Sequence, residues 1–355
     1  MSIAAVLDSK IIVCAGSGGT GKTTVSAAIA LRASQAGRNT IVVTIDPAKR
    51  LANALGLSEL SNTPVKIAGT TLSAMMLDTK TTFDALVTRY ARSPERASKI
   101  LSNRFYQAIS ESLSGTHEYM AMEKLYELSN AGDYDLIVID TPPTRSALDF
   151  IDAPRRMTSF LEGRMLKWLL LPAISGGKGL FKIANFAAVS FLKVLKRVLG
   201  SEILADVAEF FINFEGMYDG FKERALQVYE LLRQPTTAFV IVTAPDLSSV
   251  DEALFFADQL DTHGLPFGGL VVNRLHPRFT IGSQDLTGDP RTDAAIDLAG
   301  RFAVVADAES AALVRLRSKI PESKWALVPY LTSDVANLDA LGTVSELIFD
   351  AEAPL

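Results

Sequence analysis

Eight consecutive residues, Gly16-Ser17-Gly18-Gly19-Thr20-Gly21-Lys22-Thr23, fit G-x-x-x-x-G-K-[ST] at every required position. These residue types suit the binding of a triphosphate. Glycines let backbone N–H groups turn inward around phosphate oxygens, and a helix beginning there adds its positive end. Lys22 would reach the β- and γ-phosphates, and the Thr23 hydroxyl would bind Mg2+. The expected nucleotide contacts in this stretch are Gly18, Gly19, Thr20, Gly21, Lys22, Thr23 and Thr24. No second loop of this kind occurs, so the chain carries one nucleotide site.

Two acids stand where they could complete the chemistry. Asp140 ends the apolar run Leu136-Ile137-Val138-Ile139 and precedes Thr141-Pro142-Pro143-Thr144. An acid at the carboxyl end of a buried strand lies on the ligand-binding edge of an open α/β sheet. There it could orient Mg2+ through water; it also fits a plain turn cap. Asp46 ends a second run, Thr40–Ile45, and precedes Pro47-Ala48-Lys49-Arg50. It either orients the attacking water or starts an Asp-Pro turn, and spacing alone leaves both open.

The elements that would hold these residues are readable as alternating runs. Ile11–Val13, Thr40–Ile45, Leu72–Leu77, Leu136–Ile139, Phe239–Val242, Leu270–Val272 and Trp325–Val328 are short, apolar and mostly β-branched, as buried parallel strands are. Lys22 to Gly37 reads as an alanine-rich helix that Gly37 stops. The expected fold class is α/β, a P-loop NTPase with a mostly parallel sheet covered by helices, plus an inserted α-helical subdomain. Residues 1–152 and 233–355 would form the nucleotide-binding domain, and 153–232 the insertion. Between Ala153 and Gly200 nine basic residues face one acid, Glu162. Along Phe181–Leu199, Lys182, Asn185, Ser190, Lys193, Lys196 and Arg197 fall in one arc of roughly 140° on a helical wheel. The wide apolar remainder suits a groove for an apolar helix or a membrane-surface contact; burial in the subdomain or a dimer interface suits it equally well.

Composition narrows the classes. With 48% apolar and 21% charged residues the chain can build a core and is not disordered. A net charge of −5 argues against nucleic-acid binding. Cys14, the one cysteine, excludes an internal disulfide or a Cys-based zinc site and suits the reducing cytoplasm. Met1–Lys10 is too short and polar for a signal peptide, and no uncharged apolar run approaches the ~20 residues of a membrane span.

Taken together, Gly16–Thr24, Asp46-Pro47-Ala48 and Asp140-Thr141-Pro142-Pro143-Thr144 resemble the ArsA-type ATPases. That family contains arsenical pump ATPases and the ATPase that targets tail-anchored membrane proteins; the wording here is most similar to its bacterial anion-transporting branch. Val271-Val272-Asn273-Arg274 and Val328-Pro329-Tyr330-Leu331 resemble the family's adenine-contacting segments. The resemblance implies ATP and Mg2+ as cofactors, with Lys22 and Asp46 as catalytic residues, the latter positioning water. Thr23 and Asp140 would bind the metal, and Asn273 and Pro329 the adenine. It implies a homodimer, or a heterodimer with a paralogous ATPase, in the cytoplasm, with an apolar helix client or a membrane surface as the further partner. Two departures stand out. Ser17 occupies the position of the family's second loop lysine: either turnover is slow, or Lys49, Arg50 or Arg145 replaces that lysine, or a paralogous subunit supplies it in a heterodimer, with a non-hydrolysing subunit as the rival reading. The zinc-binding Cys-x-x-Cys pair is absent, so zinc is not expected.

Overall fold

A computed structural model describes residues 3–46, 48–112, 116–141, 201–214, 217–279 and 289–350. A 3-10 turn, Ile3–Asp8, leads into β1 (Ile11–Ala15), α1 (Lys22–Gln35), β2 (Thr40–Thr44), α2 (Arg50–Ala54), β3 (Val65–Lys66) and β4 (Leu72–Met76). Helices α3 (Thr79–Tyr90), α4 (Pro94–Ser102), α5 (Arg104–Ser112) and α6 (Thr116–Ala131) precede β5 (Leu136–Asp140). The later described elements are α7 (Ser201–Phe214), α8 (Tyr218–Arg233), β6 (Thr237–Thr243), α9 (Leu247–His263), β7 (Phe267–Leu275), α10 (Pro290–Arg317), β8 (Trp325–Pro329) and α11 (Leu338–Phe349).

The chain divides into two compact units: Met1–Leu77, Leu125–Asp149 and Leu231–Leu355 in one, Asp78–Lys124 and Phe150–Glu230 in the other. The first unit contains an eight-stranded sheet in the order β3-β4-β2-β5-β1-β6-β7-β8. All pairings are parallel except β3 with β4. Strands β1, β2, β5 and β6 are buried at every residue, because helices cover both faces of such a sheet. On one face Ile12, Val42, Val138, Val240 and Val271 pack with Val25 and Ile29 of α1 and Leu341 and Val344 of α11. Helix α1 ends as its sequence demands. Gly37 adopts φ 86°, and Arg38 N–H closes onto Ala33 O at 3.1 Å, a left-handed stop that glycine takes without Cβ strain.

All seven expected strands are present. The eighth, β3, is two exposed residues at the sheet edge. The second unit is helical among its described residues and is built on aromatic side chains: Phe83–Tyr106 centroids lie 5.3 Å apart and Phe214–Phe221 5.3 Å. It also buries a carboxylate, Glu123, 3% exposed. Tyr119 donates to Glu123 Oε1 at 2.8 Å and Arg224 Nε to Oε2 at 3.1 Å. Burial pushes the Glu123 carboxyl up, against the pull of both partners. The basic stretch 153–200, on which the expected groove rests, lies outside the described residues.

Candidate nucleotide site

The loop between β1 and α1 owes its shape to glycines at particular places. Gly16 has φ 152°, and a Cβ there would sit 2.0 Å from the Val242 carbonyl oxygen of β6. Gly19 and Gly21 take φ 80° and 91°, the left-handed region where a Cβ is strained. A Cβ on Gly21 would also meet Asn273 Nδ2 at 2.2 Å. Lys22 folds back over the loop, its Nζ donating to Ser17 O at 2.7 Å, and the Thr20 hydroxyl donates to the same oxygen at 3.0 Å. Gly21 provides no side-chain cap for α1, whereas Asp78, Asp246 and Asn337 cap α3, α9 and α11. The first N–H groups of α1 are thus left for an anion. Burial pulls the Lys22 ammonium below its ordinary pKa, against the attraction of Asp140.

Asp140 lies at the tip of β5 and is 0% exposed. Its Oδ2 accepts from the Thr44 hydroxyl at 2.8 Å. Its Oδ1 is buried with no hydrogen-bond partner among the described residues. Burial raises its pKa to about 6, opposed by the Thr23 and Thr44 hydroxyls and the Lys22 ammonium. A buried carboxylate oxygen left unpaired is costly, and a cation between it and the Thr23 hydroxyl would satisfy it. The donor set, two hard oxygens, fits Mg2+.

Asp46 follows β2 and is held from several sides. Its N–H donates to the Thr44 hydroxyl at 3.2 Å, its Oδ1 accepts from Ala48 N–H at 2.9 Å, and its Oδ2 lies 3.3 Å from Arg50 Nη1. The same carboxylate also lines a cavity of about 550 Å³. Gly19, Gly21, Lys22, Thr23 and Thr24 line that cavity too, and so does Arg50. Asn273, Arg274, Pro329 and Tyr330 form another part of its wall. Gly18 is exposed and Thr20 buried. Thr144 and Arg145 lie outside the described residues, and Lys49 lines a separate cavity of about 120 Å³ with Glu59 and Met76.

Asn273 spends its amide on the protein: Nδ2 donates to Thr20 O at 2.8 Å, and Oδ1 accepts Arg274 N–H at 3.0 Å. Arg274 takes φ 65°, the one non-glycine residue at positive φ among those described. Asn273 thereby ties the end of β7 to the phosphate loop. Sequence reasoning missed Thr44, whose hydroxyl joins the backbone of Asp46 to the carboxylate of Asp140; a threonine two residues before a strand-end acid was the available signal. It also missed His276, which stacks on Tyr330 at 5.3 Å and places Nδ1 2.6 Å from Glu309 Oε1. No local pattern marks that pairing. Cys14 is fully buried and its thiol is pushed up to about 12, chiefly by burial, so it stays neutral and unreactive.

A parallel sheet whose first strand delivers a glycine loop, a lysine and an uncapped helix end defines a P-loop NTPase. Residues 9–285 match the family described as Anion-transporting ATPase, the ArsA-type ATPases, and the chain belongs to that family. ATPase GET3 of Malassezia globosa is 26% identical over 267 residues, covering 75% of this chain and 72% of that protein. A putative arsenical pump-driving ATPase 1 of Aquifex aeolicus is 25% identical over 358 residues, 97% of this chain and 80% of its own length. The ATPase ASNA1 homolog of Dictyostelium discoideum is 24% identical over 268 residues, covering 75% and 72%. Among the described residues no helix is long and apolar enough to cross a membrane.

Proposed function

We propose that this ATPase hydrolyses ATP with Mg2+ at the cavity above and uses nucleotide state to hold or release an apolar partner. The observation that carries the reading is that Lys22, Thr23 and Asp46 line one cavity, with the buried Asp140 beside Thr23 and Lys22 and its Oδ1 unpaired among the described residues. The loop N–H groups and Lys22 bind the phosphates. Thr23 and Asp140 would hold Mg2+, which when bound neutralises charge on the β- and γ-oxygens. Asp46 orients a water molecule. The water oxygen bonds to the γ-phosphorus as the bond to the bridging oxygen breaks. ADP leaves with that electron pair, and the water's proton passes to the released phosphate. Asn273 and Pro329 border the adenine.

The segments at Asp46 and Asp140 respond to the γ-phosphate, and the response is passed to the insertion at 153–232. That insertion would accept an apolar helix or a membrane surface, in a cytoplasmic dimer of this chain or of this chain with a paralogue. The decisive experiment is turnover by the purified chain and by Asp46→Asn. The variant is expected to keep ATP and lose hydrolysis. A wild-type chain that binds ATP but never hydrolyses it, alone or with its paralogue, overturns the reading. Such a result would favour a second one, a nucleotide-binding subunit without turnover of its own. Its motive is Ser17, which presents a buried hydroxyl without a hydrogen-bond partner among the described residues, and no charge.

A further inference from the structure

Ser17 brings no positive charge to the phosphate loop, yet phosphoryl transfer spreads charge over three equatorial oxygens. Lys22 is the loop's one cation. Two other described cations line the cavity, Arg50 and Arg274. Arg274 adjoins Asn273 at the end of β7. Arg50 opens α2, and its guanidinium lies 3.3 Å from Asp46. Its charge is felt at Lys22, whose ammonium it disfavours. The neighbouring Lys49 lines the separate cavity with Glu59.

We propose that Arg50 is a catalytic residue that exchanges partners, leaving Asp46 for the γ-phosphoryl oxygens when ATP binds, so that one event supplies the missing cation and frees Asp46 for water. This rests on the nucleotide reading above and deepens it. The side chain of Arg50 is 62% exposed, and an ion pair so exposed is worth at most about 1 kcal/mol. A γ-phosphate offers more negative charge, and a guanidinium fork matches its oxygens. Before the exchange both Asp46 oxygens are engaged, Oδ1 by Ala48 N–H and Oδ2 by Arg50. Afterwards Oδ2 is open to the attacking water. ADP has no γ-phosphate to draw Arg50 away, so Asp46 stays tied in the product state.

The test compares wild type, Arg50→Ala, Arg50→Lys and Lys49→Ala for turnover, for Mg·ADP binding, and for capture of Mg·ADP with aluminium fluoride, a mimic of the transferring phosphoryl group. Arg50→Ala should bind Mg·ADP as wild type does. It should lose kcat by about 10³-fold, the low end of what an arginine at this charge contributes, and fail to retain the fluoride complex. Arg50→Lys should recover part of both, and Lys49→Ala should match wild type. An unchanged unfolding midpoint in Arg50→Ala is expected from the exposure of that side chain. Wild-type kcat and fluoride capture in Arg50→Ala overturn the proposal. Equal losses of Mg·ADP and of the fluoride complex overturn it too, because they make Arg50 a support of the loop. Absence of turnover in wild type counts instead against the ATPase reading, and fluoride capture still decides Arg50.

Discussion

Asp140→Asn should stabilise the metal-free protein while removing its Mg2+-dependent chemistry. In the fold this carboxyl titrates at about 6 against an ordinary value of 3.8, because burial disfavours its charged form more than the Thr23 and Thr44 hydroxyls and Lys22 favour it. Its folded pKa is raised, so the folded state binds the proton more tightly than the unfolded state. Stability is therefore greatest below 3.8, falls as pH rises towards 6, and is level above that. At about 1.4 kcal/mol per decade, the ionised form costs the fold about 3 kcal/mol at neutral pH. Asn keeps an oxygen to accept the Thr44 hydroxyl and removes the charge. Urea unfolding in EDTA at pH 7.5 should show the variant more stable by up to about 3 kcal/mol, shrinking to about 1 kcal/mol at pH 4.5. The gain arises because the site is left charged to receive a cation. A variant less stable than wild type at pH 7.5, or a gap that ignores pH, would refute the reasoning.

Two further predictions concern the fold. Gly16→Ala should destabilise the protein by more than about 3 kcal/mol, since its Cβ meets the Val242 carbonyl and β1 and β6 must part. Gly19→Ala meets nothing within 4 Å and should cost only the ~1–2 kcal/mol of its left-handed backbone; comparable losses in both variants, by chemical denaturation, would contradict the geometry. Arg224→Met should cost about 3 kcal/mol at pH 8 by leaving Glu123 buried without its cation. The loss should shrink as pH falls, because burial raises the Glu123 carboxyl and favours its protonated form.

Much of this architecture is written in local pattern. Strands covered on both faces need uninterrupted apolar runs, which is why Ile11–Val13 or Leu136–Ile139 can be read directly. The start of β7 cannot be, because Gly268 and Gly269 break its run. They are there because a Cβ at either would come within 2.9 Å of Ala238 or Ile3, a close approach that no apolar pattern encodes. Strand β3 is illegible because two exposed residues held by backbone pairing carry no signature. The site divides the same way. The phosphate loop is eight contiguous residues, and the two acids sit at strand ends, so both are visible. The Thr44 bridge, the Asn273 tether and the His276–Glu309–Tyr330 cluster join elements far apart in the chain, and only the fold brings them together. Among three candidate replacement cations, the sequence had no means to choose; the fold brings Arg50 to the cavity and turns Lys49 to another.

Titration of the purified chain with Mg2+ and a slowly hydrolysed ATP analogue, beside Lys22→Ala, bears most directly on the account. One nucleotide per chain is expected, weakened by about three decades in the variant, since a buried unit charge near phosphate is worth about 4 kcal/mol at an effective dielectric of 20. A wild-type chain that takes up no nucleotide, or a Lys22→Ala chain that binds it equally well, would contradict the account.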